Sequence, residues 1–313
     1  MNDTKPVITF SQLGRLGRFA NHCLQYMFLS AYADKHGLEF KTSHWTGERI
    51  FNVKRGTDDL PPFPRVEQQT DDFQTCEIAG SAQPLCNIDL SGYFQYNLSY
   101  YAGRQDKIRE EFSFTGHYES IRREIAGVFS SYDAPVVCLH LRRGDYGYSH
   151  FFVAPNKWYI AELKRLKSEI GNFVVYIATD DVNCIGQDFN EFQVITSANL
   201  RASLSTQVAE QELHFLDFIA LTQGDMLAIS NSSFSFFASL LNTKASKFLR
   251  PSLAAMKLID YDPWASDPIL RDQTVEQAGS QFMNPALARK ARRKRWRNLV
   301  REPFKAIAHY FGS

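Results

Sequence analysis

The apolar positions of the chain follow two rhythms. Short continuous runs, Val7–Phe10, Pro135–Leu141, Phe173–Ala178, Phe192–Thr196, Met226–Ser230 and Lys247–Leu249, read as strands. Between them, apolar residues recur at helical spacing in Phe19–His36, His117–Phe129, Asn156–Ile170, Ala209–Gln223 and Phe234–Leu241. Gly37 supplies a natural stop for the first helix, and Ile121, Ile125, Val128 and Phe129 line one face of the second. Runs that are apolar at successive positions, rather than alternate ones, are expected of parallel strands covered on both faces. From residue 135 onward such strands alternate with helices, which predicts a Rossmann-like lobe whose ligands sit beyond the carboxyl ends of the strands.

The rest of the chain is less regular. Residues 42–90 are polar and proline-bearing, with Pro61-Pro62-Phe63-Pro64 at their centre, and suggest loops and short elements of an acceptor surface. Asp133-Ala134-Pro135 breaks the helical pattern and marks a lobe boundary. The expected division is an N-terminal α/β lobe on the acceptor side over 1–133, the Rossmann-like lobe over 134–255, and a C-terminal extension over 256–313. A length of 313 residues fits two lobes and the cleft between them.

Composition narrows the class. Charged residues at 22% and hydrophobic ones at 44% exclude a disordered or fibrous chain. The five cysteines are odd in number and include no CxxC pair, so neither a disulfide framework nor a zinc site is suggested. No apolar run approaches the ~20 residues that span a bilayer, and the first residues lack a signal pattern, so a cytoplasmic protein is expected. The net charge of +1 hides an asymmetry: residues 284–313 carry nine Lys or Arg against Glu302, a balance of +8, which leaves −7 for residues 1–283. An acidic body argues against nucleic acid as a partner. The tail interleaves Arg289 to Arg301 with Trp296, Leu299, Ile307, Tyr310 and Phe311, which suits an interfacial helix on the anionic inner face of a membrane; RNA binding by the tail and a merely solvated terminal helix are the alternatives.

Three blocks carry chemistry. His140-Leu141-Arg142-Arg143-Gly144-Asp145-Tyr146 stands where a buried strand runs out into a loop. An arginine fork there can bind a phosphate and neutralise charge on a departing diphosphate, with Asp145 orienting it; an Arg–Asp pair that only closes the loop is the competing reading. Ser230-Asn231-Ser232-Ser233-Phe234 leads from a strand into a helix, where hydroxyls and free backbone N–H groups form an anion site or simply cap the helix. The glycine loop Gly14-Arg15-Leu16-Gly17-Arg18-Phe19-Ala20-Asn21 resembles a phosphate-cradling turn without matching a nucleotide fingerprint. Asp180, Asp181 and Asp217 are further carboxylates near strand ends or on a helix. The DxD pattern Asp260-Tyr261-Asp262 lies away from all of these and is not expected to bind metal.

Taken together, the blocks resemble the α1,2-fucosyltransferase family and its relatives, the α1,6-fucosyltransferases and protein O-fucosyltransferases. Gly17 to Tyr26 resembles the family's GRLGNQMFQYA segment, Gly92-Tyr93-Phe94-Gln95 its GYxQ segment, His140 to Tyr146 its HxRRGDY motif, and Asn231 to Phe237 its NSSFSWW motif. The sequence departs from the pattern at Ala20 and His22, where the family has Gly and Gln, and at Phe236-Phe237, where it has two tryptophans.

The resemblance implies a GT-B-like, two-lobed α/β fold and an inverting, metal-independent transfer of L-fucose from GDP-fucose to a glycan hydroxyl, α1,2 to galactose. Another linkage, or a silent GDP-sugar-binding protein, is the alternative. By the same resemblance Arg142 holds the β-phosphate, Arg143 and Asp145 fix the loop, and Ser232 and Ser233 meet the diphosphate. His140 and Asp217 read the guanine, and the loop of Gly17, Arg18 and Asn21 belongs to the donor site. His150 is the candidate general base, with an ordinary pKa near ~6.5 suited to it, and Asp145 is the reserve. No cofactor is implied. The acceptor is a glycan, and a tail at a membrane fits a lipid-linked one.

Overall fold

The computed structural model describes residues 5–284 together with 286, 287 and 289. The first lobe holds β1 (Val7–Phe10), α1 (Phe19–His36), β2 (Glu39–Thr42), β3 (Arg65–Glu67), α2 (Asp72–Thr75), α3 (Glu77–Gly80), β4 (Ile88–Ser91), α4 (Gln105–Glu111) and α5 (Gly116–Ser130). Its strands form a parallel sheet in the order β2-β1-β4-β3. The second lobe holds β5 (Val136–Leu141), α6 (Asn156–Ile170), β6 (Val174–Thr179), β7 (Gln193–Thr196), α7 (Ser197–Ser203), α8 (Leu213–Leu221), β8 (Met226–Ala228), α9 (Ser233–Leu241), β9 (Lys247–Ser252) and β10 (Lys257–Asp260). Its sheet runs β10-β9-β8-β5-β6-β7, parallel except for the antiparallel β9–β10 pair at one edge. The expected two-lobed α/β architecture is the one observed.

The reason β5 is apolar at every position is visible in what each face meets. Val136 and Cys138 join the core under α8 and α9, whereas Val137, Leu139 and Leu141 join a second core against Trp158, Tyr159, Leu163 and Leu166 of α6. His140 falls on the same face as Val136 and Cys138, which turns it toward α8 and α9 at the carboxyl end of the strand. α1 is buried over nearly every position from Ala20 to Ala33, because it lies between the first sheet and the second lobe. Phe19 at its start meets Phe215 at 5.0 Å and Phe218 at 5.2 Å, both edge-on, and Phe112 meets Phe237 at 4.8 Å. The two lobes thereby share one continuous core.

Residues 42–90, expected as loops and short elements, supply β3 and β4 to the first sheet. The expected helix over Ala209–Gln223 opens with a tight turn at Glu210–Glu212 before α8 begins. After β10, Ile269, Val275 and Phe282 are buried, so residues up to 284 lie against the body of the protein. The expectations for the basic tail fall almost entirely outside the described residues.

Candidate active site

A cavity of about 1110 Å³ opens between the lobes at the carboxyl ends of β5 and β6. Most of the residues singled out from the sequence line it: Arg18, Asn21, His140, Arg142, Asp145, His150, Asp217, Ser232 and Ser233. Gly17 and Arg143 stand behind the wall. The Arg143 guanidinium turns away and donates to Ala154 O at 2.6 Å and Asn156 Oδ1 at 2.6 Å, tying the loop after β5 to the start of α6.

Arg142 is held by two carboxylates. Its Nη2 lies 2.6 Å from Asp145 Oδ1, its Nε donates to the same oxygen at 2.9 Å, and its Nη1 lies 3.2 Å from Asp180 Oδ2. Nη1 and Nη2 each keep a second N–H. Asp180 in turn accepts the backbone N–H groups of Arg143 at 2.8 Å and Gly144 at 3.0 Å. A Cβ at Gly144 would stand 2.8 Å from Asp180 Oδ2, which explains a glycine between the arginines and Asp145. Asp145 Oδ2 also pairs with Arg18 Nη2 at 2.9 Å, an ion pair that joins the lobes across the cleft.

The other wall is built from buried polar groups. Asp217 on α8 accepts the Tyr176 hydroxyl at 2.6 Å, and burial pushes its carboxyl up to about 7 against the lowering effect of that bond and of Ser197. His140 Nδ1 lies between Ser235 Oγ at 2.7 Å and Ser230 Oγ at 2.8 Å. Burial, with Arg142 and Arg143 nearby, holds the ring down to about 3, so it is neutral at working pH. Ser232 caps α9, accepting from Phe234 N at 3.4 Å, so this serine does serve as a cap. The helix start nevertheless faces the cavity, because Ser232, Ser233 and Phe234 all line it. Asn231 is fully buried and braces the site: its Nδ2 donates to His150 O at 2.8 Å and its Oδ1 accepts from Leu270 N at 2.9 Å.

His150 is half-buried in the cavity wall, a position that does not give it the ordinary pKa expected from the sequence. Burial, then the Arg271 charge, push its ring down to about 4, with Glu276 opposing. Asp145, the reserve base, has each carboxylate oxygen on a guanidinium. Gly17 takes φ +84°, and a Cβ there would come within 2.4 Å of the Asn21 amide. Asn21 Oδ1 accepts from Gln95 Nε2 at 2.5 Å, and Gln95 Oε1 accepts from Arg271. Tyr176 and Arg271 are not among the residues expected from the sequence, and Gln95 stands there only as part of a motif. The segment Gly92 to Gln95 carried a signal for Gln95, but a lone arginine in a polar stretch carries none.

Among the described residues no group of three His, Cys, Asp or Glu side chains is placed to hold a metal ion. Asp260 pairs with Lys247 at 3.3 Å, and Asp262 caps a turn by accepting from Trp264 N at 2.8 Å. No described helix is long and apolar enough to cross a membrane.

No curated protein sequence matches the chain. Among solved structures, the fold is similar to that of NodZ α1,6-fucosyltransferase soaked with GDP-fucose, with a TM-score of 0.54 at 12% identity over 83% of this chain and 99% of that one. It is similar also to fucosyltransferase NodZ from Bradyrhizobium, with a TM-score of 0.52 at 12% identity over 83% and 99%. These likenesses establish the two-lobed fold of solved fucosyltransferases. Residues 78–256, more than half of the chain and including the loop after β5 and the start of α9, match glycosyl transferase family 11. With that match and the cleft that these segments build, the chain belongs to glycosyl transferase family 11.

Proposed function

We propose that the chain is an inverting, metal-independent fucosyltransferase that moves L-fucose from GDP-fucose to a glycan hydroxyl, O2 of galactose being the acceptor atom. One observation carries the donor reading: Arg142, Asp217, His140 and the start of α9, far apart in sequence, wall a single cavity. Asp217 suits guanine, whose adjacent N–H donors both face a carboxylate, and an adenine there would deny the buried carboxylate those two bonds. Arg142, oriented by Asp145 and Asp180, and the N-terminal end of α9 suit the diphosphate.

In the transfer, the acceptor oxygen bonds to the anomeric carbon as the bond from that carbon to the β-phosphate oxygen breaks. Negative charge gathers on the departing GDP, where Arg142 and the α9 terminus oppose it without a metal. The acceptor proton passes to His150, which burial keeps neutral and able to accept it. Turnover of GDP-fucose with a panel of galactosides and N-acetylglucosaminides, in the presence of a chelator, tests the reading. Fucosylated galactoside and released GDP are expected from wild type and neither from Arg142→Ala; GDP binding with no turnover on any acceptor would reduce the protein to a binder.

A further inference from the structure

Part of the cavity wall is left unused by the donor reading. Thr70, Phe73, Tyr93 and Gln95 reach it from the first lobe, and Ile269 and Arg271 from the segment after β10. Arg271 is half-buried, lies 3.9 Å from the centre of the Phe73 ring and donates to Gln95 Oε1. Both partners are neutral. The cavity's other arginines are paired, Arg18 with Asp145, and Arg142 with Asp145 and Asp180. Arg271 forms no ion pair among the described residues, and burial pushes its guanidinium down to about 10. The Asp267 carboxylate opposes that shift from beyond ion-pair distance, so a desolvated cation beside an open cavity has no directly paired counter-charge.

The rim next to it is fixed. Tyr93 is 40% exposed, and its backbone N–H and that of Phe94 both donate to Gln68 Oε1, at 3.0 and 2.9 Å. Phe94 sits at φ +48°, an unfavourable conformation for a bulky residue, and is held there by stacking on Phe28 at 4.6 Å. Packing thus overrides local preference, and the result is one defined position for Tyr93 and Gln95.

We infer that this part of the cavity takes an acidic sugar as acceptor, its ring against Tyr93 and a carboxylate or phosphate on it paired with Arg271. The planar guanidinium fits either oxyanion in bidentate fashion. The inference rests on the reading that the rest of the cavity holds the donor.

The test is a ligand-observed NMR titration of D-galacturonate, galactose 6-phosphate and methyl galactoside, with and without saturating GDP, on wild type, Arg271→Gln and Arg271→Lys. One charge-assisted pair gives at least about tenfold tighter binding of an acidic sugar than of the neutral one. That preference is expected in wild type, reduced in Arg271→Lys, which keeps the charge without the planar fork, and lost in Arg271→Gln, with GDP affinity unchanged within about twofold. Which acid binds distinguishes carboxylate from phosphate. Equal binding of all three sugars, or a preference that survives Arg271→Gln, overturns the inference, as does an equal loss of GDP affinity, which would make Arg271 a donor residue. Acid preference without any GDP binding would instead remove the donor reading and, with it, the acceptor role, leaving an acidic-sugar site at Arg271.

Discussion

Asp217, proposed to read the guanine, is kept at a cost to the fold. Its carboxyl titrates near 7 when folded and near ~4 when unfolded. As pH rises, the unfolded chain therefore releases this proton first. The group's contribution to stability is complete below pH ~4 and is lost as pH climbs to about 7, a loss on the order of a few kcal/mol. Asp217→Asn is expected to raise the apo Tm by several degrees at pH 8 and by little at pH 4, while weakening GDP about a hundredfold. Thermal melts at the two pH values and one titration check this. The same ionisation shapes the kinetics: kcat/KM for the donor should fall below pH 7, where Asp217 takes up its proton. The kcat at saturating donor should persist until pH nears 4, where His150 charges. In His150→Gln that lower limb disappears together with most of the rate.

Among the elements, the loop after β5 depends on a position without a side chain. Gly144→Ala would push Asp180 off the two backbone N–H groups it accepts and release one of the carboxylates that orient Arg142. Donor affinity is expected to drop roughly tenfold or more with a small change in Tm, which separates this substitution from a folding defect. The buried strands and the helices beside them were legible because their apolar periods are strong: β5, β6, α1 and α6 sit within a residue of where the sequence places them. β3 and β4 were not, since strands of three and four residues containing Arg65, Glu67 and Asp89 lack any apolar run. The cavity residues Arg142, Asp217 and Ser232 were legible because they stand at or beside strand and helix ends. Arg271 was not, because it reaches the cavity from an irregular segment through contacts that are wholly tertiary.

At the scale of the molecule, the core that passes from Ile8 through α1 to Phe218 and Tyr176 makes the lobes one folding unit. Phe218 is 1% exposed and touches Phe19, Phe114, Phe234 and Phe237. Phe218→Ala should cost about 3–5 kcal/mol and lower a single calorimetric transition, not split it. The Arg18–Asp145 pair is the polar counterpart of this joint, placed where donor entry would be felt. The proposed function requires the cleft to be a site for a guanine nucleotide. Calorimetric titration of GDP and ADP in the presence of a chelator tests it most directly. GDP is expected to bind wild type, ADP about a hundredfold more weakly, and Asp217→Asn to lose that discrimination; absence of GDP binding, or equal affinity for ADP, would rule out a guanine site.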